Sequence, residues 1–456
     1  MDLITPNNEQ TPANRKVFIQ TFGCQMNVYD SGKMLAQLRE DGFTPTDSAA
    51  DADLVLINTC SVREKPEHKL HSTIGSLRKL RKNHPFMIGI TGCMAQHAGA
   101  SLFQKYRDVD LVIGPDAVPR IRQLVEDART QRVLDNQFLE VAEYPFVQQL
   151  DPAAAHQVTG LVTIQKGCDN KCTFCIVPMT RGQEVSRPSA QIVDEVRRLT
   201  EQGVRDVTLI GQNVNSYGLK TGEIPFAELL YRVAEVPGLA RLRYTTSHPR
   251  DMGEDVVQAY RDLPNLASHL HLPAQTGSNR LLRRMKRFYT RERFLEVASQ
   301  LRDARPDLSL TTDLIVGFPG ETDEDFEQTL ELMREAPFDG SFSFRYSPRP
   351  GTAALRLREK HDDAQALERL HVLQRLQAEL SLAGNQRMEG RQVEVLVEKT
   401  SRQDDAVLAG RTSCFRTVNF AGPTEMIGTL QQVRVLRGYT NSLRGELVDS
   451  VTAPLL

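Results

Sequence analysis

Cys168, Cys172 and Cys175 fall within eight residues, in the run Gln165-Lys166-Gly167-Cys168-Asp169-Asn170-Lys171-Cys172-Thr173-Phe174-Cys175. Thiolates this crowded hold an inorganic centre. A structural zinc site wants four closed ligands, usually as two separated pairs, and the nearest histidine, His156, lies upstream of the preceding apolar segment. A [4Fe-4S] cube held by three cysteines instead leaves one iron open to bind something else. Three further cysteines, Cys24, Cys60 and Cys93, are far apart in the chain, yet each directly follows a short apolar run: Thr21-Phe22-Gly23-Cys24, Asn58-Thr59-Cys60 and Thr91-Gly92-Cys93. A lone cysteine is by default a buried core thiol. Three in the same topological position point to a second three-thiolate centre.

These residues need elements to hold them. Val17–Gln20, Leu54–Ile57 and Met87–Ile90 read as buried parallel strands separated by helices near Ser31–Glu40 and Glu67–Lys82, which predicts a doubly wound α/β domain. The carboxyl ends of parallel strands share one edge, and ligands bind there, so Cys24, Cys60 and Cys93 are expected to meet. From Gly160 the alternation restarts. Strand-like segments at Leu161–Gln165, Asp206–Gly211, Arg241–Thr246, Ser268–Leu272, Leu308–Val316 and Ser341–Tyr346, with helices such as Ser189–Gln202, Arg291–Ala304 and Asp323–Glu335, predict a six-stranded partial (β/α)6 barrel. Its strand-end turns nominate Gln212, Asn213 and Gln275, and its fifth strand nominates Asp313, as cofactor-binding positions.

A long helix, Asp363–Ala383, closes that domain, and Gly384-Asn385 stops it. Beyond it, Val393–Val397, Ala406–Ala409, Thr417–Phe420 and Val433–Leu436 predict a small antiparallel β-barrel. Barrels of this size often bind oligonucleotides, but residues 387–449 carry nine Lys/Arg against eight Asp/Glu, so Arg411 and Arg416 must carry that case. A stronger basic run, Arg280, Arg283, Arg284, Lys286, Arg287, Arg291 and Arg293, is offset only by Glu292. It is expected to border the barrel mouth and meet a polyanion backbone, against the plainer reading of a solvated helix face. Cys414 reads as an incidental thiol.

Composition bounds the rest. The 456 residues suggest about three domains. A net charge of −2 excludes a globally basic nucleic-acid coat and confines RNA contact to local patches. Seven cysteines, six of them in ligand-like contexts, suggest a reducing compartment rather than a disulfide ladder. The polar stretch Met1–Arg15 has no apolar core of a leader, and no run of 18 apolar residues occurs, so a cytoplasmic monomer is expected.

The C-x3-C-x2-C spacing resembles that of the radical S-adenosylmethionine (SAM) superfamily. With it, Gly23-Cys24-Gln25-Met26-Asn27, Asn58-Thr59-Cys60-Ser61-Val62-Arg63-Glu64, Gly410-Arg411-Thr412 and Val418-Asn419-Phe420 resemble a tRNA-modifying branch of the methylthiotransferases, though Phe22 stands where tyrosine is common. The resemblance implies domains at 16–132 (methylthiotransferase N-terminal), 154–385 (radical SAM core) and 388–451 (TRAM). It also implies two [4Fe-4S] clusters, one on Cys168, Cys172 and Cys175 that binds SAM and an auxiliary one on Cys24, Cys60 and Cys93. The implied reaction is methylthiolation at C2 of N6-isopentenyladenosine, tRNA position 37. Rival readings are a relative acting on threonylcarbamoyl-adenosine or a ribosomal-protein aspartate, and a non-catalytic iron–sulfur RNA-binding protein.

Overall fold

A computed structural model describes residues 15–61, 64–140, 144–150, 157–359, 362–401, 404 and 406–448, with residues 64–68 as backbone only. The expectations for Met1–Asn14, Val62, Arg63, His156 and the end of the chain lie outside the described residues. The chain divides into two compact units, one of Met1–Pro152 with Ile176–Gln183, the other of Ala153–Cys175 with Glu184–Leu456.

The first unit is built from β1 (Arg15–Phe22), α1 (Gln25–Glu40), β2 (Phe43–Pro45), β3 (Leu54–Thr59), α2 (Glu64–Leu80), β4 (Met87–Thr91), α3 (Cys93–Ala98), α4 (Ser101–Lys105), β5 (Leu111–Ile113), α5 (Ile121–Asp127) and β6 (Val133–Asp135). Its strands form one parallel sheet in the order β2-β1-β3-β4-β5-β6. Strand β3 shows why. Its side chains alternate, Leu54 and Leu56 entering one core with Val17, Leu38 and Ile113, Val55 and Ile57 entering the other with Ile74, Ile88 and Val112. A strand buried on both faces belongs in the middle of a doubly wound sheet. The unit also takes α6 (Val177–Arg181), which follows the cysteine triplet in the chain.

The second unit begins with β7 (Thr159–Thr163), a short antiparallel pair of β8 (Gln165–Lys166) and β9 (Val185–Ser186), α7 (Ser189–Glu201), β10 (Asp206–Ile210), α8 (Phe226–Ala234), β11 (Arg241–Tyr244) and α9 (Glu254–Asp262). It continues through β12 (His269–His271), α10 (Asn279–Arg284), α11 (Arg291–Ala304), β13 (Ser309–Val316), α12 (Asp323–Glu335), β14 (Gly340–Arg345) and α13 (Asp363–Gln386). Two three-stranded parallel sheets, β7-β10-β11 and β12-β13-β14, are joined by a bridge between Leu242 and Leu266. These six strands are the partial barrel. Helix α12 starts where Thr322 and Asp325 cap each other. Thr322 Oγ1 accepts from Asp325 N at 3.2 Å, and Asp325 Oδ2 accepts from Thr322 N at 2.8 Å.

The unit ends in β15 (Gln392–Thr400), β16 (Val407–Thr412), β17 (Thr417–Ala421), β18 (Leu430–Gly438) and β19 (Leu443–Leu447), closed in the order β15-β16-β17-β19-β18. Val395, Leu408, Val418, Phe420, Val433 and Leu443 fill its centre. The sequence pattern missed β19, and one pair departs from the antiparallel expectation: β17 and β19 run parallel, because the fifth strand returns to close the barrel. Arg416 is also corrected. Its guanidinium pairs with Asp339 and donates to Asn385 Oδ1 at 2.6 Å, so it ties the small barrel to the core instead of standing free for RNA.

Candidate metal centres

In the first unit, β1, β3 and β4 are neighbours in register, Phe22 opposite Thr59 and Asn58 opposite Thr91. Cys24 therefore caps α1 just beyond β1, Cys60 follows β3, and Cys93 opens α3 just beyond β4. Two glycines allow this crowding, because both take a positive φ that side chains resist. A Cβ on Gly23, whose φ is +140°, would stand 2.6 Å from the Cys60 Cβ, and one on Gly92, at φ +87°, 2.3 Å from Asn58 Oδ1. Asn27 and Asn58 brace the edge: Asn27 Nδ2 donates to Asn58 Oδ1 at 3.0 Å, and Asn58 Nδ2 to the Asn27 carbonyl at 2.8 Å.

Arg181 of α6 enters the same place. Its Nε lies 3.3 Å from Cys93 Sγ and its Nη2 2.7 Å from Asp30 Oδ2, with the side chain buried. A hydrogen bond with Cys60, helped by this guanidinium, pulls the Cys24 thiol down to about 6. Burial pushes Cys93 up, against the same cation. Thiolates bind iron, so a buried positive charge is what the cluster of three needs. The hydroxyls of Thr59, Ser61 and Thr91, buried beside Cys60 and Cys93, have no hydrogen-bond partner, and could donate to the sulfides of a bound cluster.

In the second unit, the triplet lies on the loop after β8. Gln212 Oε1 accepts from Gly167 N, Thr173 N donates to the Met285 carbonyl at 3.0 Å, and Ala354 N to the Thr173 carbonyl at 2.8 Å. Burial pushes Cys168 up to about 11. Cys172 faces a cation: Arg287 Nη1 is 3.6 Å from its sulfur, while Nη2 donates to the Pro273 carbonyl at 2.9 Å. Among the described residues, no three His, Cys, Asp or Glu are arranged to hold a single metal ion. A cubane asks for a different arrangement, since each thiolate meets its own iron.

Around the triplet, buried side-chain atoms of Gln165, Glu184, Gln212, Asn213, Asn215 and Ser247 have no hydrogen-bond partner. All but Glu184 lie at or beyond the carboxyl ends of β7, β10 and β11. Burial raises Glu184 to about 7. Orphaned donors and acceptors on this scale suit a ligand with amino, carboxylate and hydroxyl groups.

Three family descriptions match the chain: the radical SAM superfamily over residues 162–333, the uncharacterized protein family UPF0004 over 16–114, and the TRAM domain over 386–448. Curated relatives named tRNA-2-methylthio-N(6)-dimethylallyladenosine synthase match nearly end to end. The protein of Syntrophus aciditrophicus is 44% identical, covering 95% of each chain, and that of Bordetella avium 46%, covering 98% of this chain and 96% of its own. This chain belongs to that methylthiotransferase family. Among solved structures, the radical SAM methyltransferase TsrM of Kitasatospora setae, with cobalamin and a [4Fe-4S] cluster, shares the fold at a TM-score of 0.55 and 16% identity, over 75% of this chain and 77% of its own.

Of the cofactor positions nominated in this methylthiotransferase, Gln212 and Asn213 sit beside the triplet loop, Asn213 Nδ2 donating to Asp251 Oδ2 at 2.7 Å. Gln275, at φ +69°, and Asp313 meet each other through Gln275 N and the Asp313 carbonyl at 2.8 Å. Asp313 is not at a strand end: it lies within β13, 3.5 Å from His271 Nε2. The sequence did not single out Arg181 or Glu184. It did nominate Arg287, for the wrong role. Most of that basic run is spoken for, Arg280 by Asp325, Arg284 by Glu359 at 2.8 Å, Arg291 by Glu331 and Glu335, Arg293 by Glu296 at 2.7 Å. Only Arg283 and Lys286 are exposed with no acidic partner among the described residues.

Proposed function

We propose that this chain methylthiolates C2 of N6-isopentenyladenosine at position 37 of tRNA, with Cys168, Cys172 and Cys175 holding a SAM-binding [4Fe-4S] cluster and Cys24, Cys60 and Cys93 an auxiliary one. The observation that carries this is the repetition of one device: in each unit three cysteines stand at the carboxyl edge of parallel strands, beside a buried arginine and unpartnered polar atoms. Bound in these places, the clusters and SAM supply a 5′-deoxyadenosyl radical and a methylated sulfur. The chain's own part is to bind, orient and exclude water. Gln212 fixes the loop that carries Cys168, Arg287 sets a positive charge against Cys172, and Arg181 does the same for Cys93. Gln212, Asn213, Glu184 and Ser247 would take the polar groups of SAM, with Gln275 and Asp313 on the opposite half of the barrel.

The domains are placed at 16–132, 154–385 and 388–451, acting as a monomer in the cytoplasm, where tRNA is found. Among the described residues no helix is long and apolar enough to cross a membrane. The relatives' names favour this substrate over threonylcarbamoyl-adenosine, a ribosomal protein or a non-catalytic role. Nucleoside mass spectrometry of tRNA from cells lacking the chain tests the proposal. The expected result is N6-isopentenyladenosine without its 2-methylthio form, restored by the wild-type gene; unaltered 2-methylthio nucleoside overturns it.

A further inference from the structure

Helix α10 ends in a Schellman turn. Lys286, at φ +56°, donates its N–H to the Arg283 carbonyl at 3.1 Å, and Arg287 N donates to the Leu282 carbonyl at 3.0 Å. That turn sends Arg287 inward to Cys172. Tyr289 also points inward, its hydroxyl donating to the Ala274 carbonyl at 2.7 Å. Phe288 stands between these two buried residues. It adopts φ +57° and is 65% exposed. A bulky side chain rarely takes that conformation, and burial does not explain the ring. The turn is fixed to the cluster loop, since Thr173 bonds the Arg284 carbonyl through Oγ1 and the Met285 carbonyl through N, each at 3.0 Å. Arg283 and Lys286, exposed and with no acidic partner among the described residues, precede the ring at this helix end.

We propose that Phe288 is a stacking platform for an unpaired base of the anticodon loop, held beside the SAM-cluster loop while Arg283 and Lys286 take the adjoining phosphates. This rests on the tRNA reading above. The occupant follows from the chemistry. An exposed aromatic face that follows two exposed cations at one helix end, on a turn whose backbone is pinned at both ends, is what a single-stranded nucleotide needs: a π-surface for the base and positive charge for its backbone. A partner helix or a membrane would ask for a contiguous apolar stripe, and here the neighbours in sequence are a cation and two buried residues. Holding the ring at positive φ aims it outward, so the base is received rather than the ring collapsing onto the core.

The chain contains no tryptophan, so Phe288→Trp introduces a single reporter. In the full-length, cluster-loaded protein its emission should be quenched on titration with an anticodon stem-loop carrying N6-isopentenyladenosine, and not with a fully paired RNA duplex of equal charge. Phe288→Ala and Phe288→Gly should raise KM for the stem-loop by roughly five- to hundredfold, the range of one base–aromatic stack, with the loss in KM and not in kcat. Glycine accepts the positive φ, so equal losses in both variants, with thermal melts at or above wild type for Phe288→Gly, assign the loss to the ring and not to the turn. Unquenched emission, or a KM within about twofold of wild type in both variants, overturns the proposal while leaving the methylthiotransferase reading intact. A wild-type protein that neither binds nor modifies the stem-loop removes both.

Discussion

Arg181 and Arg287 each bring a guanidinium to a cysteine sulfur, and each is buried. Sequence did not expose either role. Arg181 lies after the triplet in a short helix with no chemical signature, and Arg287 is hidden in a run of charges most of which pair with carboxylates. Only the cysteines advertise themselves, because thiols have few other reasons to recur at strand ends. Replacing Arg181 by methionine should cost about 3 kcal/mol, the low end for a buried pair, since Asp30 is left partly buried without its partner. Adding Asp30→Asn should recover much of that stability in urea titrations. Compared with Asp30→Asn alone, the double variant should show a lower reduction potential for the proposed auxiliary cluster in redox-poised spectroscopy, because reduction adds negative charge that the guanidinium no longer offsets. His248 provides a pH signature: burial, then Arg287, pulls it from 6.5 down to about 3. The folded state therefore binds fewer protons than the unfolded one between those values. The stability this contributes is complete above about pH 6.5 and lost as pH falls toward 3. His248→Asn, which keeps an acceptor for Arg250 N, should flatten the acid loss measured by urea unfolding on either side of the histidine's ordinary value.

At the scale of elements, the six core strands and the central strands β1, β3 and β4 were legible, since buried β-branched runs between helical patterns leave little choice. Strands β2, β5 and β6 were not: at three residues each they show no alternation, and β12, equally short, was found only from the regular spacing of strands and helices around it. The parallel pairing of β19 was equally hidden, because closure of a barrel is set by tertiary geometry and not by local pattern. The strand–Gly–Cys turns carry two of the three cysteines of the proposed auxiliary site, so Gly92→Ala should destabilise the unit by about 1–3 kcal/mol through forced positive φ and the collision with Asn58. Cluster loading should fall with it, seen as lost iron. Alanine at Cys24, Cys60 and Cys93 should separate two events: SAM is still cleaved to 5′-deoxyadenosine, whereas methylthiolated tRNA is not made. Product from that triple variant would remove the sulfur-delivery role from these cysteines.

For the whole molecule, the two cubane sites proposed above imply about eight irons per chain after anaerobic reconstitution and about four once Cys168, Cys172 and Cys175 are alanine. A wild-type load near four would leave no auxiliary cluster. With a net charge of −2, RNA docking falls to local cations that no carboxylate offsets. Arg283→Ala with Lys286→Ala should therefore lower the log–log salt slope of tRNA binding by roughly two, one per phosphate contact. The division of the chain has a consequence in time. The first unit is completed by Ile176–Gln183, which the ribosome makes only after the stretch that carries Cys168, Cys172 and Cys175. At roughly 5–20 residues per second, the sheet with Cys24, Cys60 and Cys93 is exposed for seconds before Arg181 is synthesised. During that interval Asp30 lacks its counter-ion and the three thiols lack their cation, so the nascent sheet is a loosely closed vessel whose stopper arrives last.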